Sequence, residues 1–224
     1  MSAPSTALRT GQDPYHLGHA SSSGTPEFTG HGAGGPAPKR IVVGYGFWLF
    51  ILSDVVLFAS FFAAYAVLVY ARAGGPGPRD LFDLRTTEIE TACLLLSSFT
   101  CGLASMAVGR RSLLWTEIAL AVTGLLGATF IGIEIHEFAR LVAAGDGPSR
   151  SAFLTAFFTL VGCHGLHVTC GLLWLATMMA QLRAKGFTSS VRHRYLCYSL
   201  FWHALDIVWI GIFSGVYIIG VLMQ

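Results

Sequence analysis

The chain has 224 residues, of which 54% are hydrophobic and only 12% charged, with a net charge of +2. Its mean hydropathy is +0.62. Soluble domains carry about 25% charged residues, so this composition excludes an ordinary water-soluble globule. The charge balance also offers no basic block for nucleic acid and no acidic tail. The five cysteines, Cys93, Cys101, Cys163, Cys170 and Cys197, contain no CxxC pair and all fall in or beside apolar segments, which fits neither a zinc site nor a disulfide framework.

In chain order, Met1 to about Pro38 carries seven Gly, five Pro and many Ser, without apolar periodicity. It is expected to be a disordered tail, residues 1–40 forming a region apart from a membrane domain at 41–224. It has no apolar core of the kind a cleaved signal needs. His16, His19 and His31 in it show no recurring ligand spacing and read as solvated.

Five long apolar runs follow, at about Ile41–Ala71, Thr86–Val108, Leu113–Leu141, Ala152–Leu182 and Tyr195–Leu222. Each exceeds the ~20 residues needed to cross ~30 Å of hydrocarbon. Each must be helical, because lipid supplies no partner for an open backbone. The predicted fold is therefore an all-α membrane protein, a bundle of five transmembrane helices. Placing the N-terminus inside puts Lys39, Arg40, Arg110, Arg111, Arg183, Lys185, Arg192 and Arg194 on the inner side, against Arg72, Arg79, Arg85, Arg140 and Arg150 outside. That excess predicts an N-in, C-out topology.

The ionisable residues inside these runs carry the most information. Each costs about 2.5–3.5 kcal/mol at mid-membrane and therefore faces protein and a partner. Asp54 lies mid-way along the first run, His164 and His167 along the fourth, and His203 and Asp206 along the fifth; Glu90, Glu134 and Glu137 lie nearer the ends of the second and third. The i,i+3 pairs His164/His167, His203/Asp206 and Glu134/Glu137 each share a helix face. The simplest expectation is that the His203 imidazole donates to the Asp206 carboxylate, with a proton relay as the alternative.

Haem ligation needs facing histidines on different helices. His164 could face His203, but the paired spacing of a two-haem cytochrome b is missing. Cys163 and His164 point about 100° apart on a helix and form no chelate. No catalytic residue and no metal site is expected. Gly211 and Gly215 form a GxxxG, read as a close-packing face. Tyr45, Trp48, Tyr70, Tyr195, Trp202 and Tyr217 read as interfacial anchors.

Four segments together resemble one known family. Gly46-Phe47-Trp48-Leu49-Phe50-Ile51-Leu52-Ser53-Asp54, Glu134-Ile135-His136-Glu137-Phe138, Gly162-Cys163-His164-Gly165-Leu166-His167-Val168 and Trp202-His203-Ala204-Leu205-Asp206-Ile207-Val208-Trp209 are similar, in order, to motifs of the haem–copper oxidase subunit III family. Many members have seven spans, and the runs here are similar to the last five. The loops at Gly75–Phe82 and Gly145–Leu154 look like the bacterial cytochrome o ubiquinol oxidase branch. Asp54 stands where the family often has Glu, a shorter carboxylate in keeping with that branch.

The resemblance implies a non-catalytic subunit of a proton-pumping terminal oxidase in a bacterial inner membrane. It implies docking beside subunit I, which holds the haems and copper, with subunits II and IV in the same complex. It further implies bound phospholipid in a cleft that Asp54 faces, and no cofactor in this chain. A small proton or ion transporter, or subunit III of a cytochrome c oxidase, are the alternatives. A transporter should show repeats or broken helices, and no repeat is found.

Overall fold

The structure, a computed structural model, describes residues 39–74, 77, 83–218 and 220. The predicted disordered tail with its three histidines, Arg79 and the predicted end of the fifth run at Leu222 lie outside the described residues.

Among the described residues five α-helices form: α1 (Lys39–Leu68), α2 (Leu84–Gly109), α3 (Leu113–Ala143), α4 (Ala152–Lys185) and α5 (Ser189–Ile212). Each is long and apolar enough to span a membrane, and no strand occurs among the described residues. The expected all-helical bundle is therefore what the chain forms.

Local chemistry sets the ends. Asp83 caps α2, its carboxylate accepting from the Arg85 N–H at 3.1 Å and from the Thr86 hydroxyl at 2.9 Å. Ser151 caps α4 through the Leu154 N–H. Thr188 caps α5 through the Val191 N–H. This last cap corrects the sequence reading of a loop from Arg183 to Arg194. The true link is Gly186–Thr188, with Gly186 at φ 62° turning the chain, and α5 begins six residues before Tyr195. The polar Arg192, His193 and Arg194 interrupt the apolar run but lie within the first two turns of the helix. The α2–α3 link is equally tight. The Ser112 N–H reaches the Ala107 carbonyl and the Arg111 N–H reaches Val108, closing α2 in a Schellman motif.

Asp83 lies outside the spans. The Thr86 hydroxyl, helped by the Arg85 N–H, holds its carboxyl below the usual range. A depressed folded value means that the cap's contribution is present above the unfolded pKa of ~3.9 and is lost as pH falls through the folded value. Amide exchange in the first turn of α2 is therefore expected to speed up on acidification below that range. In Asp83→Ala it is expected to be fast at every pH. A pH-independent first turn in the unaltered chain would contradict this.

Helix α1 lies at one edge, packed on α4 and α5. Its buried residues, Ile51, Phe58 and Tyr65, recur every seven positions, a narrow seam of the coiled-coil kind. The rest of α1 is an outward apolar face, Val56 and Val67 being 66% and 77% exposed, which suits lipid or another membrane helix. Helices α2 and α3 form the most extensive pairing.

The interior is organised around Trp202, 2% exposed. A Cβ added at Gly127 of α3 would lie 2.9 Å from its indole, and one at Gly171 of α4 would lie 3.0 Å from it. Two helix backbones thus clamp the ring from both sides. Gly124 differs: its added Cβ would meet only the tip of Leu175, at 2.9 Å. Gly127→Ala is expected to cost about 1–3 kcal/mol by overpacking, and Gly124→Ala much less, because a leucine tip can rotate and a clamped indole cannot. Unfolding midpoints in mixed detergent check the order; equal losses would contradict it.

Trp202, Tyr195 and Tyr217 are therefore core residues, 2%, 3% and 0% exposed, not interfacial anchors. Tyr45, Trp48 and Tyr70, at 66%, 54% and 68%, are exposed as such anchors are. Beyond Ile212 the helix widens into a π segment, Phe213–Ile218. Gly211 and Gly215, the GxxxG pair, face the Phe62 ring of α1. Added Cβ atoms there would lie 3.2 and 3.8 Å from the Phe62 ring of α1.

Candidate functional site

The polar groups inside the bundle fall into four sets. The first joins α1 to α4. Asp54 Oδ1 lies 3.9 Å from His167 Nε2, both side chains about one-fifth exposed (20% and 19%). The other ring nitrogen, Nδ1, is 2.7 Å from the Cys163 carbonyl oxygen. A carbonyl only accepts, so Nδ1 carries the proton and Nε2 is the atom turned to the carboxyl. The seven-residue α1 seam, which turns Phe58 inward one turn from Asp54, holds this carboxyl against α4.

The second set is His164, which does not share the environment of His167. It is fully buried, stacked on Trp209 at 5.2 Å, with Phe130 and Phe58 edge-on at 5.8 and 6.2 Å. Neither ring nitrogen has a hydrogen-bond partner among the described residues. It packs as an aromatic ring, and the rings around it leave no approach for a facing histidine.

The third set is a seam between α2 and α5. The expected direct hydrogen bond from His203 to Asp206 is replaced by a shared partner: the Ser98 hydroxyl of α2 lies 2.6 Å from His203 Nδ1 and also meets the Asp206 side chain. Trp202 Nε1 donates to Ser97 at 3.1 Å, Trp209 Nε1 to Thr91 at 3.0 Å, and the Tyr195 hydroxyl to the Cys101 carbonyl at 2.9 Å while lying 3.0 Å from Ser105. The partners step by about seven along both helices in opposite directions, as antiparallel neighbours must. The signal was present: Thr91, Ser98 and Ser105 are seven apart, as are Tyr195, Trp202 and Trp209. Interhelical bonds of this kind average about 0.6 kcal/mol in lipid. Ser98→Ala is therefore expected to cost about 0.5–1.5 kcal/mol, read as a small drop in the same unfolding midpoint, and a loss beyond ~3 kcal/mol would contradict it.

The fourth set is acidic. Glu90 of α2 meets Glu134 and Glu137 of α3, all at most 4% exposed. Arg140 Nη2 lies 3.4 Å from Glu137 Oε1. The oxygens of Glu90 and Glu134 have no hydrogen-bond partner among the described residues. Three clustered carboxyls cannot all be ionised at low cost. Among the described residues, no three His, Cys, Asp or Glu side chains are grouped as a metal ion would need. A separate apolar groove of about 440 Å³ runs between α1 and α5, lined by Trp48, Val55, Phe62, His203 and Ile207 among others. Asp54 is not among its lining residues.

These features define a multi-pass helical membrane protein with polar bonds from α5 to α2 and an Asp54–His167 contact from α1 to α4. The chain belongs to the cytochrome c oxidase subunit III family, which it matches over residues 27–221. It is 51% identical to cytochrome bo(3) ubiquinol oxidase subunit 3 of Pseudomonas aeruginosa over 207 residues, 92% of this chain and 96% of the relative. It is 45% identical to quinol oxidase subunit 3 of Bacillus subtilis over 78% of this chain and 86% of the relative. It is 41% identical to cytochrome c oxidase subunit 3 of Bacillus sp. strain PS3, over 78% and 84% respectively. Five spanning helices and bacterial relatives make it a multi-pass protein of a bacterial inner membrane.

Proposed function

We propose that this chain is the non-catalytic subunit III of a proton-pumping bacterial ubiquinol oxidase. The observation that carries the reading is 51% identity over nearly the whole length of a ubiquinol oxidase subunit 3. In this role the chain docks beside the haem- and copper-bearing subunit I, together with subunits II and IV, and supports it through turnover. The outward apolar face of α1 suits such docking, and the groove between α1 and α5 suits a phospholipid chain. The relative that carries the cytochrome c oxidase alternative is 41% identical, against 51% for the Pseudomonas aeruginosa ubiquinol oxidase subunit.

Asp54, Glu90, Glu134, Glu137, His164, His167, His203 and Asp206 act in this reading as polar ties and packing groups, not as chemistry. Residues 1–40 form a tail distinct from the membrane domain at 41–224, with the N-terminus inside. The test is to purify the tagged chain in mild detergent, record its optical spectrum and weigh the co-purifying chains. Haem absorption with a larger haem-bearing subunit is expected. A colourless chain without partners would overturn the reading.

A further inference from the structure

We propose that the groove between α2 and α3 is a binding site for one anionic phospholipid, with its phosphate at the Arg110–Arg111 turn. The groove has a volume of about 330 Å³, within the usual range of ligand sites, ~300–1,000 Å³. It runs from Arg110 and Ser112 at its mouth past Met106, Trp115 and Ile118 to Val122. Ten helical residues from Ser112 to Val122 rise about 15 Å, half the ~30 Å hydrocarbon thickness. That is the depth of one leaflet, and the lining below the mouth is almost wholly apolar.

The mouth is built for an anion. Neither the Arg110 nor the Arg111 guanidinium has an ion-pair partner among the described residues, as is also true of Arg72, Arg85, Arg192 and Arg194, so both charges are free to meet an anion. Glu117, the acid closest along α3, is taken by Arg183 at 2.9 Å. Arg111, next to the lining residue Arg110 though not itself in the lining, stands at φ 55°, the Schellman position that ordinarily selects glycine, and adds a second cation to the same turn. Ser112, the cap of α3, makes no side-chain hydrogen bond to the helix, so the first N–H groups of α3 remain open at this mouth, an orientation that favours phosphate. Trp115, 65% exposed, sits where an interfacial tryptophan flanks headgroups. Basic pockets between helices at a membrane face are the kind that hold anionic headgroups. This groove lies away from α1 and from the groove between α1 and α5. The inference needs only the membrane reading, so it survives or falls separately from the oxidase assignment.

The test is native mass spectrometry of the full chain, in whatever complex it occupies, loaded with phosphatidylglycerol or phosphatidylcholine of identical acyl chains. One retained phosphatidylglycerol is expected, at least tenfold preferred over phosphatidylcholine. R110Q/R111Q should lose that preference. K185Q/R194Q, which removes the same charge outside the groove, should keep it. Ala119→Phe, which fills the groove with both arginines intact, should lose retention. Melting curves check that each variant is folded. Equal retention of both lipids, or full retention by R110Q/R111Q, would overturn the proposal. Displacement by inorganic phosphate with Ala119→Phe unaffected would assign a soluble anion instead. A photocrosslinker at Val122 that captured another protein chain, not lipid, would show the groove to be a subunit contact.

Discussion

Trp202→Ala is expected to destabilise the subunit by about 3–5 kcal/mol and to lower its recovery from membranes several-fold. The loss has three parts. The indole is 2% exposed, so truncation leaves a cavity between Gly127 and Gly171, whose backbones approach too closely to be replaced by other side chains. The Ser97 hydroxyl loses the Nε1 donor at 3.1 Å. The aromatic contact with Tyr198, at 5.8 Å, is also lost. Trp202→Phe separates these terms, because it keeps most of the packing and removes the donor; it is expected to cost about half as much. The check is the unfolding midpoint in mixed detergent with far-ultraviolet circular dichroism. An alanine variant within ~1 kcal/mol of the parent would mean that the clamp is not the centre of the core.

The second large effect concerns Asp54. His167→Leu leaves the carboxyl near mid-membrane without the imidazole 3.9 Å away. The expected loss is about 2–3 kcal/mol, the order of an unpartnered ionisable group in a span. Adding Asp54→Leu should restore most of it, because two apolar residues need no partner. The double-mutant cycle is therefore expected to show strong coupling of the restoring sign. Asp54→Asn keeps a polar group able to meet His167 Nε2, and is expected to assemble and to turn over with little loss of initial rate. Additive single losses would show that the pair is not an interaction. Normal assembly of Asp54→Asn with complete loss of initial activity would make Asp54 a participant in chemistry.

Much of this was legible in the residues. The length of each apolar run sufficed to place five helices, since lipid permits little else. Where it misplaces an end, at α5, the cause is the polar stretch Arg192–Arg194, which belongs to the first two turns of a capped helix. Neighbours on one helix were legible through i,i+3 spacing, but that rule cannot say whether a side chain prefers its own helix or the next. Hence i,i+3 spacing pairs His203 with Asp206, and does not show that Ser98 on α2, 2.6 Å from His203 Nδ1, meets both side chains. His164 and His167 look equivalent in sequence. Only the packing of Phe58, Phe130 and Trp209 turns one into a core ring and leaves the other to meet Asp54. Tyr195 and Trp202 of the aromatic heptad Tyr195–Trp202–Trp209 read in sequence as membrane-surface residues, because tryptophan and tyrosine serve both purposes and burial alone distinguishes them.

The most direct measurement of the supporting role compares oxygen consumption by the quinol oxidase complex with and without this chain, following both the initial rate and the number of turnovers before inactivation. The account predicts an initial rate close to that of the full complex and a markedly shorter active lifetime when the chain is missing. Immediate loss of the initial rate, with the haem spectrum of the remaining complex intact, would contradict it.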